Sequence, residues 1–139
     1  MMRVIGLFRE LVTPENTRLP SIYASKNILA EDMVMPVLKY LSMGTDVIDV
    51  METTQDPFDS EKFISGGPSL TSDGEWVWRY DLAHYVRSYR VGLPEEFLAR
   101  VRHVEAVPVK KLIVNEVADN VLEAYRTAKM GSTPMNNNK

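Results

Sequence analysis

The stretch Leu70-Thr71-Ser72-Asp73-Gly74-Glu75-Trp76-Val77-Trp78 constrains the fold more than any other part of this 139-residue chain. Asp-Gly between two runs of strand-forming residues favours a tight hairpin. A two-residue type I′ turn needs positive φ at both central positions, which glycine accepts freely and aspartate tolerates. Side chains alternate across a strand, so Trp76 and Trp78 share one face while Glu75, Val77 and Arg79 share the other. The two indoles are read as core rather than ligand contacts, because large aromatics dominate burial. Asp81 suits the N-cap of a following helix in which Leu82, Tyr85, Val86 and Tyr89 recur at helical spacing. Gly92 is expected to break that helix. Pro94-Glu95-Glu96 then opens a second one, with Phe97, Leu98 and Val101 on its buried side.

Upstream, Val4, Leu7, Phe8 and Leu11 fall at helical spacing and predict a short helix from Met2 to Val12. Thr13 to Pro20 is rich in breakers and reads as a loop, and Ser21 to Leu29 as one or two helical turns. Glu31 to Met43 predicts a helix burying Val34, Val37, Leu38 and Leu41, with Pro36 near its first turn or kinking it. Gly44 is the expected stop, with positive φ. Thr45 to Met51 predicts the first strand. Phe63 to Leu70 is expected to pair with Trp76-Val77-Trp78. Gly66-Gly67 marks a bulge or bend before Pro68 and lacks the Lys-Ser/Thr of a phosphate loop.

Downstream, His103 to Val107 reads as a connection. Pro108 opens a long helix to about Lys129, along which Ile113, Val117, Val121, Ala124 and Ala128 repeat. The alternative is a strand at Leu112-Ile113-Val114, with Asn115 capping a shorter helix. Gly131 to Lys139 is a polar tail expected to be disordered. The fold class is α+β: a small antiparallel meander of about three strands packed on several helices. One domain spans residues 1–130, and 131–139 form the tail.

Composition narrows the function. Hydrophobic residues at 45% and charged residues at 25% are ordinary globular values. A net charge of −3 argues against a dedicated nucleic-acid binder. With no cysteine, disulfides and thiolate metal sites are excluded, which suits a reducing compartment. Charge interrupts the N-terminal segment too early for a signal peptide, and no apolar run approaches a membrane span. A cytoplasmic protein with neither nucleic acid nor membrane as partner is expected.

Catalytic chemistry is hard to assemble. A triad of Ser69, His84 and Asp81 can be drawn on paper, but no nucleophile-elbow sequence supports it. His84 and His103 show no metal-binding spacing. No catalytic residue, metal or cofactor is therefore assigned. The segment Asp46 to Glu61 instead carries six carboxylates, Asp46, Asp49, Glu52, Asp56, Asp59 and Glu61, before the first basic residue, Lys62. A solvated strand and loop is the plain explanation. An acidic docking edge is the sharper one, since complementary charge speeds encounter and sets orientation. A calcium loop is a third, without the ligand alternation, central glycine and terminal glutamate of an EF-hand. From Arg79 to Lys111 the balance reverses mildly, with seven basic residues against four acids.

Thr71-Ser72-Asp73-Gly74-Glu75-Trp76-Val77-Trp78, Asp81-Leu82-Ala83-His84-Tyr85-Val86 and Leu93-Pro94-Glu95-Glu96-Phe97-Leu98 together form a pattern. Ile5-Gly6-Leu7-Phe8-Arg9-Glu10-Leu11 and Tyr40-Leu41-Ser42-Met43-Gly44 precede it at compatible spacing. The pattern resembles small bacterial immunity-type proteins associated with polymorphic toxins of contact-dependent or type VI secretion systems. It covers roughly residues 3–103 and leaves the last helix unaccounted for. The resemblance implies a non-enzymatic, cytoplasmic protein that neutralises a cognate toxin domain by direct contact, and it assigns no residue roles. A basic nuclease is the kind of toxin an acidic edge would suit. Asp46, Asp49, Glu52, Asp56, Asp59 and Glu61 are accordingly the candidate partner-binding residues. Reversing Asp56, Asp59 and Glu61 to Lys is expected to slow association and leave folding intact. A generic interaction or self-assembly module is the alternative. An enzyme is a third, favoured by a polar pocket at His84 lined with carboxylates of displaced pKa.

Overall fold

Strand β6 (Trp76–Arg79) is buried on both faces, and the rest of the chain is arranged around it. The structure, a computed structural model, describes residues 2–104 and 108–131. β6 lies inside a mixed sheet of order β1-β6-β5-β2. β1 (Arg3–Val4) runs parallel to β6, β5 (Leu70–Ser72) antiparallel to it, and β2 (Thr45–Ile48) antiparallel to β5. Trp76 and Trp78 point together, as alternation requires, and Phe97 meets them edge-on with centroids 5.6 and 6.0 Å away. That face packs on α3 (Glu31–Ser42), α4 (Leu82–Tyr89) and α5 (Glu95–Arg102). Val77 on the other face joins Val47 and Leu70 beneath Val121 and Ala124 of α6 (Val114–Lys129). Helices therefore cover both sides of the sheet, and the α+β class holds.

The sheet differs from a simple meander in two places. Residues 2–12 are not one helix: β1 pairs through Arg3 N to Glu75 O and Ile5 N to Val77 O, both 3.0 Å, and only α1 (Arg9–Val12) is helical. Strand pairing overrides the helical spacing, and Gly6 at φ +65° turns the chain between the two elements. Phe63 also belongs elsewhere. Residues 63–65 end β4 (Asp59–Ser65), which pairs with β3 (Thr53–Asp56) as a separate two-stranded hairpin inserted between β2 and β5.

The β5–β6 turn is shifted by one residue from the expected position. Asp73 N donates to Trp76 O at 3.3 Å, so Gly74 and Glu75 are central, and Gly74 has φ +101° while Asp73 has no positive φ. Positive φ at the first central position alone is the II′ pattern rather than I′. Asp73 instead uses its carboxylate, whose Oδ1 accepts from Glu75 N at 2.8 Å and Trp76 N at 2.7 Å.

Helix ends also depart from expectation. α3 stops at Met43 without a left-handed residue. Gly44 is required by a close approach: a Cβ there would lie 2.6 Å from Trp78 Cζ2 and 2.7 Å from Thr71 Cγ2. Pro36 sits inside α3, which buries Val37, Tyr40 and Leu41 and leaves Val34 and Leu38 partly covered. Arg90, at φ +50°, ends α4 before Gly92 is reached, and its guanidinium donates to Leu29 O at 2.6 Å. α2 (Ile22–Ser25) is a single turn capped by Ser21 Oγ. α6 starts at Val114 and no strand forms before it; Leu112 N donates to Thr45 Oγ1 at 3.0 Å. The expected connection at His103–Val107 and the tail from Gly131 run into residues 105–107 and 132–139, which lie outside the described residues.

Candidate functional site

The β3–β4 hairpin has little core of its own and is fastened to α4 by polar groups. Asp56 is 1% exposed. Its Oδ2 accepts from His84 Nε2 and from Tyr89 Oη, both at 2.7 Å, and its Oδ1 accepts from Phe58 N at 2.7 Å. Burial disfavours the charged carboxylate, but the bonds from His84, Tyr89 and Phe58 outweigh it and hold the Asp56 carboxyl below the usual range. Burial, and then the carboxylate it faces, push the Tyr89 phenol up to about 12. Phe58 completes the clasp by packing on Tyr89, with ring centroids 4.1 Å apart.

A second polar cluster lies at the root of the hairpin. Arg79 grips Asp81 bidentately, Nε to Oδ1 at 3.1 Å and Nη2 to Oδ2 at 2.8 Å, with both side chains almost wholly buried. Desolvation would lower the Arg79 pKa, and the attraction of Asp81 outweighs it, so the guanidinium stays charged. Arg79 Nη1 also donates to Leu11 O and Tyr125 Oη, each at 3.3 Å, which ties β6 to the N-terminal segment and to α6. Thr54 Oγ1 donates to Asp81 Oδ2 at 3.3 Å and so joins the hairpin to this cluster. Asp81 thus stands at the N-cap position of α4 but spends its carboxylate on Arg79 rather than on the helix. The buried Tyr85 hydroxyl has no partner among the described residues, and its pKa is raised first by burial and then by Asp81 and Asp56.

Chemically, the Asp56 carboxylate fixes the His84 ring through Nε2, an arrangement that can orient an imidazole for proton transfer. The triad drawn from the sequence is not assembled. Ser69 Oγ accepts from Val50 N at 2.9 Å, Asp81 serves Arg79, and His84 is held by Asp56. No group of three acidic, histidine or cysteine side chains able to hold a metal occurs among the described residues. The clasp itself was missed. Asp56 before Pro57 signals a turn, and its bond to Phe58 N is that turn, but nothing local points to His84 and Tyr89.

The acidic run divides. Asp46, Asp49, Glu52 and Glu61 are exposed and Asp59 is half-buried. Asp46 Oδ1 accepts from Thr71 Oγ1 at 3.2 Å, Asp49 lies beside Ser69 Oγ, and Asp59 caps Glu61 N at 3.1 Å while pairing with Lys62 at 3.9 Å. Asp56 is the correction: its carboxylate faces inward, so it cannot touch a partner. Reversing it to Lys would bury an ammonium where three donors converge, and the expected harmless triple reversal becomes an unfolding one. Asp46 and Asp49 face an open groove of about 390 Å³ with Ser65, Ser69 and Tyr80.

Compared with family models, with curated proteins and with solved structures, the chain matches none. No helix among the described residues is long and apolar enough to cross a membrane.

Proposed function

We propose that the protein binds and neutralises a cognate bacterial toxin by direct contact, as the immunity-type proteins it resembles in sequence are expected to do. The observation that carries this is the exposure of four carboxylates, Asp46, Asp49, Glu52 and Glu61, spread over β2, the β2–β3 connection and β4. In that segment the nearest cation, Lys62, is engaged by Asp59. Such a surface attracts a basic protein and repels nucleic acid, which fits an inhibitor that competes for the cleft of a basic nuclease in the cytoplasm. The interior polar groups support the same reading, because Asp56, Arg79 and Asp81 are spent on holding the hairpin in place.

The test is growth rescue with the protein encoded by the adjacent reading frame. Wild type is expected to rescue. The variant Asp49→Lys/Glu52→Lys/Glu61→Lys, all at exposed positions, should fold and fail to rescue. Rescue undiminished by the three reversals contradicts the proposal. The Asp56–His84 pair favours a second reading, an enzyme with His84 as base. His84→Gln keeps a donor to Asp56, so rescue should survive it in a binding protein and fail in an enzyme.

A further inference from the structure

We infer that the outward face of the β3–β4 hairpin, centred on Phe63, is the apolar anchor by which this protein grips a basic protein partner. This rests on the toxin-binding reading and names the element that does the gripping. Alternation in β4 sends Ile64 inward, where it packs against the main core, and Phe63 outward, 61% exposed. Phe63 sits opposite Gln55, and the same face continues through Thr53, Glu61 and Ser65, all exposed. Two more apolar groups border the end of this strand. Met51 is 94% exposed and precedes Glu52, whose carbonyl accepts from Gly66 N at 2.7 Å. Tyr80, 57% exposed, shares the groove with Ser65 and Gly66.

A single exposed Phe is ordinary, but Phe63 on β4 with Met51 and Tyr80 both exposed next to the segment where that strand ends is not explained by folding. The scaffold beneath adds a second argument. The hairpin is locked by the Asp56–His84–Tyr89 clasp and by Thr54 on Asp81, so Phe63 is presented on a backbone already ordered before any encounter. Preorganisation of that kind removes part of the entropy lost on binding. Charge then selects the occupant. Asp46 and Asp49 line the groove with Tyr80, Glu52 follows Met51, and Glu61 shares the β4 face with Phe63, so a carboxylate accompanies each apolar group, which fits a basic protein surface with an apolar pocket.

Rim and anchor separate kinetically. Rim charges govern mainly the association rate, and a desolvated aromatic governs mainly dissociation. The experiment measures binding of the full chain to the protein encoded by the adjacent reading frame, by surface-immobilised kinetics, for wild type, Phe63→Ala and Met35→Ala. Met35 is a control, 71% exposed on α3. Phe63→Ala is expected to dissociate about 30-fold faster at an unchanged association rate, the size of a hot-spot truncation, with Met35→Ala like wild type. A complex that forms normally and dissociates equally slowly from Phe63→Ala overturns the inference and leaves the toxin-binding reading standing. Failure of wild type to form any complex overturns both. Circular dichroism of Phe63→Ala, expected to match wild type, guards against loss of fold.

Discussion

Asp56 shows how much a single carboxylate decides here. It lies 28 residues from His84 and 33 from Tyr89, yet its Oδ2 accepts from both. Asp56→Ala leaves three donors without their acceptor and should destabilise the fold by about 3 kcal/mol in urea titrations, the range for a hydrogen-bonded buried charge. Acid should act through the same residue. Its folded-state pKa is depressed, so its contribution is complete above the unfolded-chain value of roughly 4 and is lost as pH falls through the lower folded value. Asp56→Asn should therefore lower stability at neutral pH and flatten the decline of stability on the acid side. An unchanged acid limb in urea titrations from neutral pH to pH 3 would remove the clasp from the account. None of this was legible locally: six acids in a row look alike in sequence, and only the third dimension separates Asp56 from the others.

Elements were legible where one local pattern agreed with the tertiary context. α3, α4, α5 and α6 announce themselves by apolar spacing, because each buries one periodic stripe, and β6 by a Trp-Val-Trp run whose alternate residues are buried on opposite faces. The failures lie where a neighbour far along the chain decides. Residues 3–4 pair with β6 from 73 residues away, and no helical periodicity competes with a ready strand edge. The β3–β4 hairpin was hidden because its polar segments pair with one another and pack through just a few residues, Phe58 and Ile64 among them. Gly44 stands where a helix stop is expected, but packing rather than backbone conformation requires it. Its role is proximity to Trp78, so Gly44→Ala forces Trp78 or Thr71 aside and should cost about 1–3 kcal/mol, the range for overpacking. Thermal unfolding measures this directly, and an unshifted melting temperature would show that α3 and the sheet have slack between them. Gly74→Ala is strained by backbone conformation instead, at φ +101°.

At the scale of the molecule, a two-sided core and a polar excursion divide the work. Trp76, Trp78 and Phe97 on one side of the sheet and Val77, Val121 and Ala124 on the other supply the buried surface. Arg79 crosses between layers, holding Asp81, the Leu11 carbonyl and Tyr125 of α6. The hairpin rides on that frame and carries Glu61 and Phe63 outward, while Asp46, Asp49 and Glu52 lie on β2 and the connection that leads into it. Fold class could be read from periodicity alone. The candidate surface could be read only as an acidic run, without the exposed aromatic or the inward turn of Asp56. The most direct measurement is the association rate constant with the protein encoded by the adjacent reading frame, for wild type and Asp49→Lys/Glu52→Lys/Glu61→Lys, at low and at physiological salt. A fast, salt-sensitive rate is expected for wild type, and a rate at least tenfold slower at low salt for the reversed variant. Equal rates for the two proteins at low salt would contradict it.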